Sequence, residues 1–318
     1  MKKALAILMV FLLAVSVAVS GCIGSNGNGG GAGSPTGSPA STSSSTSSSA
    51  EVITLRTTGA TFPQYQIQKW INVYMKSHPG VKIEYEGGGS GHGQDAFLKG
   101  LTQIGRSDPP VTEATWKKFL QTGDQPLQFP EIVGAVVVAY NVPGVSELKL
   151  DGETLAKIFM GGEIEYWDDD AIKALNPPNA NLPHQKIIVV HRSDSSGTTA
   201  IFTTYLSLVS KEFAEKVGAG KLVDWPVDKM GRGGIGGKGN PGVVQALKST
   251  KYSIAYTELS FAIEDKLNVV ALKNKAGGNF VKPTDDSIKA AVAGVKSFIP
   301  GPTEGYKENL RQLLNAPR

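Results

Sequence analysis

Residues 191–199 read HRSDSSGTT and gather a cation, a carboxylate, hydroxyls and a glycine into one short stretch. Arg192 carries a planar fork of donors that matches an oxyanion, and Asp194, two positions on, can pair with it and hold it in place. Ser196 is a natural helix N-cap, with Gly197 and Thr198 following it. The first turn of a helix offers free backbone N–H groups and a positive dipole end, which together favour an anion. The same residues also read as a good helix cap beside a surface ion pair.

Three other loops carry related chemistry. In TTGATFPQY (57–65), Gly59 supplies a turn and Thr61 sits just before a helical pattern. Pro63 fits the first helical turn, leaving N–H groups near Thr61 and Phe62 to point outward beside the Thr61 hydroxyl. In EGGGSGHGQD (86–95), glycines let backbone N–H groups come close to a ligand and Ser90 adds a hydroxyl. This loop lacks the Gly-Lys-Ser/Thr ending of a P-loop. In IGRSDPP (104–110), Asp108 precedes two prolines that force an extended or turned backbone. An aspartate there also serves commonly as a turn cap. Each loop alone is ambiguous. Together, three donor-rich helix starts, one arginine and one carboxylate describe a small tetrahedral anion held mostly by neutral donors.

The elements that must position these loops alternate along the chain. VITLRT reads as a strand, and PQYQIQKWINVYMKSHP as a helix with Ile67, Trp70, Ile71 and Tyr74 on one face. VKIEYE is the next strand; QDAFLKGLTQ and TEATWKKFLQ are helices; EIVGAVVVAYNV (131–142) is a long apolar strand. DGETLAKIFMG is a helix between an Asp start and a Gly stop. KIIVV, TTAIFTTYLSLVSKEFAEKV, GVVQALKST, YSIAYT and NVVALKN continue the alternation. The pattern predicts an α/β architecture with mostly parallel sheets, in which ligands bind beyond the carboxyl ends of strands.

The 318-residue chain is long enough for two cored domains, and its net charge of +4 with no basic stretch argues against nucleic acid. Residues 1–21 read as a signal peptide: Lys2 and Lys3 precede an apolar run from Ala4 to Val17. Val19, Ser20 and Gly21 then lead into Cys22, which resembles a bacterial-type lipobox. A lipidated Cys22, an uncleaved anchor and a plain secretory signal all export the chain; the lipoprotein is the favoured reading. Loss of Lys2 and Lys3 leaves 30 basic against 28 acidic residues, so a ligand anion must be attracted by local geometry. Cys22 is the only cysteine, so no disulfide forms within the chain. Residues 22–50 are rich in Gly, Ser and Thr and read as a flexible, lipid-anchored tether or glycosylated stalk spanning about 30 Å.

Other candidates are weaker. GRGGIGGKGNPG (231–242) is dense in glycine and carries Arg232 and Lys238; a structural loop before a helix at Pro241 is favoured over ligand contact. The histidines at 78, 92, 184 and 191 have no metal-ligand spacing. His191 is expected on the strand face opposite Arg192. Arg106 and His92 are expected to face solvent. Ser196 or Ser90 could attack a phosphate ester with Arg192 stabilising the transition state, but no base or nucleophile elbow is evident in the sequence.

Taken together, GATFP, YEGGGSG, GRSDPP and HRSDSSGTT resemble the phosphate-binding proteins of ABC-type phosphate transporters. FPEIVGAVVVAYNVPG, LDGETLAKIFMGGEIEYWDDDAI and WPVDKMGRGGIGGKGNPGV extend the likeness over about residues 52–265. The resemblance implies a two-lobed, type II periplasmic-binding-protein fold, with lobe 1 at 51–131 and lobe 2 at 132–318, closing over a cleft by a hinge. It implies phosphate bound by the Thr61 and Phe62 N–H groups, the Thr61 hydroxyl, Ser90, Arg192, Ser196, Gly197 and Thr198. Asp108 would accept a hydrogen bond from the protonated phosphate oxygen, and Asp194 would orient Arg192. Hydrogen phosphate has a proton to donate to Asp108 and sulfate has none, so Asp108 excludes sulfate. No cofactor or metal is implied. The partners would be inorganic phosphate, the permease subunits of an importer and the membrane through Cys22, at the outer face of the cytoplasmic membrane. The alternative is a phosphate-ester hydrolase or another oxyanion binder on the same fold. The family chain returns to the first lobe after a segment like lobe 2. This chain stops at Arg318, before that return, so the C-terminal part of the first lobe is expected to be missing: truncated, encoded separately, or absent from an incomplete lobe.

Overall fold

The computed structural model describes residues 52–123, 126–230, 233–274 and 278–295. The signal segment, Cys22, the tether and Arg232 lie outside the described residues.

A parallel three-stranded sheet forms the first lobe, in the order β2 (Val81–Gly87), β1 (Ile53–Gly59), β3 (Ile104–Arg106). The register sets Gly59 opposite both Gly87 and Arg106, so the three strands end level. The loops bearing Thr61, Ser90 and Asp108 therefore leave the sheet side by side. Gly59 lies at φ 132°, where a Cβ would fall 2.1 Å from the Arg106 carbonyl oxygen, so the close approach of β1 and β3 needs glycine. The helices of this lobe are α1 (Gln64–Ser77), α2 (Ser90–Leu98) and α3 (Glu113–Gln121), the last capped by the Thr112 hydroxyl.

Helix α1 buries Ile67 and Ile71, but Trp70 is 42% exposed, against the expected four-residue face. Val52, Ile53, Val73, Leu101 and Leu120 are exposed as well. A sheet of three strands gives too little surface to cover the whole stripe.

In the second lobe, β4 (Val136–Asn141) and β5 (Lys149–Leu150) lead to α4 (Gly152–Met160) and the short α5 (Asp170–Lys173). β6 (Ile188–Arg192) precedes α6 (Gly197–Val209) and α7 (Lys211–Lys216). Then come β7 (Ile235–Gly237), α8 (Gly239–Ser249), β8 (Ser253–Glu258), α9 (Leu259–Glu264), β9 (Asn268–Val269), β10 (Ala271–Lys273), β11 (Phe280–Val281) and α10 (Asp285–Val295). The main sheet has the order β7-β6-β8-β4-β9, and β11-β10-β5 form a small second sheet.

The expectation of mostly parallel sheets holds for the first lobe only. β6 is parallel to β7 and β8, but β4 is antiparallel to both β8 and β9. The apolar run at 131–142 is strand only from Val136, and the long helical pattern after Gly197 breaks at Ser210. Ser210 is extended and its hydroxyl caps α7 by accepting from the Phe213 N–H, which explains the break.

Both hydrophobic core clusters among the described residues belong to this lobe. The larger one interlocks aromatic rings: Phe159 meets Phe202 at 4.7 Å edge-on, and Phe202 stacks on Tyr256 at 4.4 Å. Trp167 is fully buried and donates its indole N–H to the Tyr252 carbonyl at 2.9 Å. This core anchors β6 and α6, the two elements on either side of the 191–199 stretch.

Candidate anion site between the lobes

Strand β6 runs through Arg192, so residue alternation sends His191 and Arg192 to opposite faces. His191 packs against Trp225 at 5.4 Å and pairs with Asp228, as expected for the face away from the cleft. Arg192 is 2% exposed. Its Nε donates to Asp194 Oδ1 at 2.7 Å and its Nη2 to Oδ2 at 2.6 Å. Its Nη1 reaches Thr198 Oγ1 at 3.4 Å. Burial pushes the Asp194 pKa up, but the hydrogen bonds and charge of Arg192 outweigh it and hold the carboxyl below its ordinary value.

Helix α6 starts where the sequence places it. The Ser196 hydroxyl accepts from the Thr199 N–H at 3.0 Å, and the Ser196 N–H donates to the Lys221 carbonyl at 2.8 Å. Thr199 in turn shares a hydrogen bond with the Tyr256 hydroxyl, which also accepts from the Arg192 N–H. The site is thereby tied to the aromatic core behind it.

From the first lobe, Ser90 opens α2 and is fully buried. Its hydroxyl accepts from the Asp108 N–H at 3.0 Å. Asp108 does not cap a helix; Thr112 does that for α3. Although Asp108 is half-buried as a residue, its carboxyl is enclosed. It meets the start of α6 so closely that a Cβ on Gly197 would lie 2.3 Å from Asp108 Oδ2 and 2.4 Å from Ser90 Oγ. Burial pushes its pKa up to about 7. The Arg192 charge, the Ser90 hydroxyl and the Thr198 backbone N–H pull it down, and the Glu258 charge raises it further. Nearby, the Gly91 N–H donates to the Ser195 carbonyl at 3.0 Å, another bond across the cleft.

Thr61 is 4% exposed, and Phe62 is buried next to it. Thr61, Ser90, Asp108, Arg192, Asp194, Ser196, Gly197 and Thr198 thus come together where β1, β2, β3 and β6 end, while Phe62 follows Thr61 in the chain with its ring toward Gly134. The geometry can offer hydroxyl, amide and guanidinium donors to one small anion, with one carboxyl as acceptor.

One expectation is corrected. Arg106 does not face solvent: its side chain is 10% exposed, paired with Glu131 at 3.1 Å and lying over the Tyr85 ring at 5.2 Å. The Glu131 carboxylate and the Tyr85 ring hold the side chain away from solvent. His92 is exposed, as expected. The described part of the glycine-dense stretch, residues 233–242, leads into a helix as expected. It begins α8 at Gly239, whose N–H donates to Asp194 Oδ1 at 2.9 Å, and Asn240 reaches Thr61. The signal was present: the stretch is another strand-to-helix junction, of the kind the rule for open sheets singles out. Lys221 was also missed; its Nζ donates to Gln94 Oε1 at 2.5 Å across the cleft. A cavity of about 180 Å³ opens beside Thr61, lined also by Gln64, Gly87, Gly88 and Lys238.

Residues 40–313 match the PBP superfamily domain. The phosphate-binding protein PstS of Methanocaldococcus jannaschii is 71% identical over 268 residues, covering 83% of this chain and 68% of that protein. The chain belongs to the PstS family of phosphate-binding proteins. The PstS of Pasteurella multocida is 44% identical, over 76% of this chain and 67% of its own length. Among solved structures, a high-affinity periplasmic phosphate-binding protein bound with phosphate is 25% identical, with a TM-score of 0.59 over 80% of this chain and 70% of that one. A putative phosphate ABC transporter substrate-binding protein from Clostridium perfringens is 16% identical, with a TM-score of 0.54 over 82% and 91% of the two chains, a likeness of fold alone. The PstS fold is therefore the two-lobed α/β architecture expected from the sequence.

Proposed function

We propose that the chain captures inorganic phosphate, as hydrogen phosphate, in the cleft between Asp108 and Arg192 and delivers it to the permease of an ABC importer. Thr61, Phe62, Ser90, Ser196, Gly197 and Thr198 supply donors, Arg192 supplies charge, and Asp194 aims it. The observation that carries this reading is one enclosed carboxyl, Asp108, facing an otherwise donor-rich helix start. Such a carboxyl accepts the proton of hydrogen phosphate and leaves an unmatched acceptor against sulfate. The lobes are taken as 51–131 and 132–318, with closure between them bringing the two halves of the site together. The protein works outside the cytoplasm; the lipobox-like sequence at Val19–Cys22 supports anchorage through a lipidated Cys22.

The hydrolase reading is less favoured, because both candidate nucleophiles have structural work. Ser196 caps α6, and Ser90 accepts from the Asp108 N–H. Calorimetry with phosphate and sulfate tests the proposal: submicromolar phosphate binding at one site per chain, with sulfate far weaker, is expected. Equal affinities would remove the role of Asp108, and ester turnover lost in Ser196→Ala would favour the hydrolase.

A further inference from the structure

Resting on the phosphate reading, we propose that Asn240 is the positioning residue that makes Thr61 and Thr198 obligate donors to the anion. Asn240 is the second residue of α8 in the second lobe and is fully buried. Its backbone N–H and its side-chain Nδ2 both donate to Thr61 Oγ1, each at 3.1 Å. A hydroxyl has two lone pairs and one proton. With both lone pairs of Thr61 engaged, its proton is directed elsewhere, and the cleft is where it can serve.

Thr198 is treated in the same way. Its Oγ1 receives Arg192 Nη1 and Asn240 Nδ2, each at 3.4 Å. The amide itself is oriented by Thr257, whose hydroxyl donates to Asn240 Oδ1 at 3.2 Å. One side chain therefore sets the polarity of a hydroxyl from each lobe. Because Thr61 belongs to the first lobe and Asn240 to the second, Thr61 acquires this polarity only when the lobes are together. Closure and donor orientation become one event. Gly239 permits the approach: it lies at φ 67°, and a Cβ there would come within 3.2 Å of the Thr61 methyl.

Asn240→Asp separates this role from simple packing. The introduced carboxylate keeps the shape of the amide but only accepts, so the Thr61 and Thr198 protons turn toward it and their lone pairs face the anion. Phosphate binding is measured by calorimetry and stopped flow on the full chain, with thermal unfolding as a check on folding. Asn240→Ala should weaken binding about tenfold, chiefly through faster release, and Asn240→Asp by more than about a hundredfold. In a Thr61→Val background the Asn240→Ala effect should shrink to about threefold, because the shared hydroxyl is gone. Should Asn240→Asp fail to fold, Thr257→Val frees the amide and should still weaken binding severalfold. Wild type that binds no phosphate overturns the functional reading beneath this inference. Wild type that binds, with Asn240→Asp no weaker than Asn240→Ala or with Thr61 and Asn240 effects strictly additive, overturns the role of Asn240 alone. If only Thr257→Val can be measured, unchanged affinity overturns it.

Discussion

Asp194 grips Arg192 with both carboxylate oxygens, at 2.7 and 2.6 Å, so the guanidinium can turn only its remaining edge to the cleft. Lysine cannot reproduce that fork, so Arg192→Lys should weaken phosphate binding by about tenfold or more by calorimetry. Asp194→Asn leaves a buried cation without its counter-charge and should cost about 3 kcal/mol of stability at neutral pH. The Asp194 pKa is lowered in the folded protein, so its contribution is fully present above the ordinary aspartate value and is lost as pH falls below that value and through the lower folded one. Denaturant melts of wild type and Asp194→Asn should therefore converge in acid.

Asp108 has the opposite linkage. Its folded pKa of about 7 lies above the ordinary 3.8, so the folded chain holds a proton that the unfolded chain has lost. Stability contributed at this position falls as pH rises between those values. In phosphate-free buffer, Asp108→Asn should be more stable than wild type at pH 8 by on the order of 3 kcal/mol, with the gap closing in acid below the ordinary aspartate range.

The same protonation bears on selectivity. As pH falls through about 7, the neutral form of Asp108 gains population, and in the proposed site it would donate to an oxyanion instead of repelling it. Sulfate should compete better with phosphate as pH falls, and Asp108→Asn should admit sulfate at least about tenfold more tightly at pH 8. Competition titrations across pH check both statements; sulfate binding that is independent of pH in wild type would contradict them.

Gly197 is one of the places where the lobes meet closely. A methyl group there would collide with Asp108 Oδ2 and Ser90 Oγ, at 2.3 and 2.4 Å. Gly197→Ala should leave α6 folded, since alanine suits a helix, yet hold the cleft ajar. Phosphate affinity should fall about a hundredfold or more with little change in melting temperature.

Phe159 tests the scaffold behind the site. It is fully buried among Phe202, Trp225 and Tyr256. Phe159→Ala should cost about 3–5 kcal/mol in denaturant melts. Tyr256 supports both Arg192 and Thr199, so the residual folded protein should also bind phosphate less tightly.

Much of this was legible because local chemistry decided it. Ser196, Asp151 and Thr112 announce helix starts, and each caps one. The loops at Thr61 and Ser90 could be grouped because each follows a strand legible in the sequence, whereas the three-residue β3 before Asp108 was not legible. What eluded the sequence depends on partners distant in the chain. Asn240 looks like part of a glycine turn until Thr61, 179 residues earlier, lies against it. Lys221 meets Gln94, 127 residues away, for the same reason. Arg106 reads as a surface cation because nothing in its own segment foretells Glu131 beneath it. The antiparallel setting of β4 is likewise a matter of which neighbour it joins, and its apolar run is compatible with either direction.

The two lobes do not share apolar burial equally. Phe159, Trp167 and Trp225 are sealed in the second, while Ile53, Trp70 and Val73 of the first are open to water. Local opening should thus cost less free energy in the first lobe, and its amide protons should exchange sooner. If phosphate binds through Thr61, Ser90 and Asp108 as proposed, it is a ligand of that lobe's ordered form. If the lobe is ordered one-tenth of the time, the apparent dissociation constant is about tenfold weaker than the intrinsic one. Whatever covers Trp70 and Val73 would then tighten anion capture from a distance, with no atom touching the cleft.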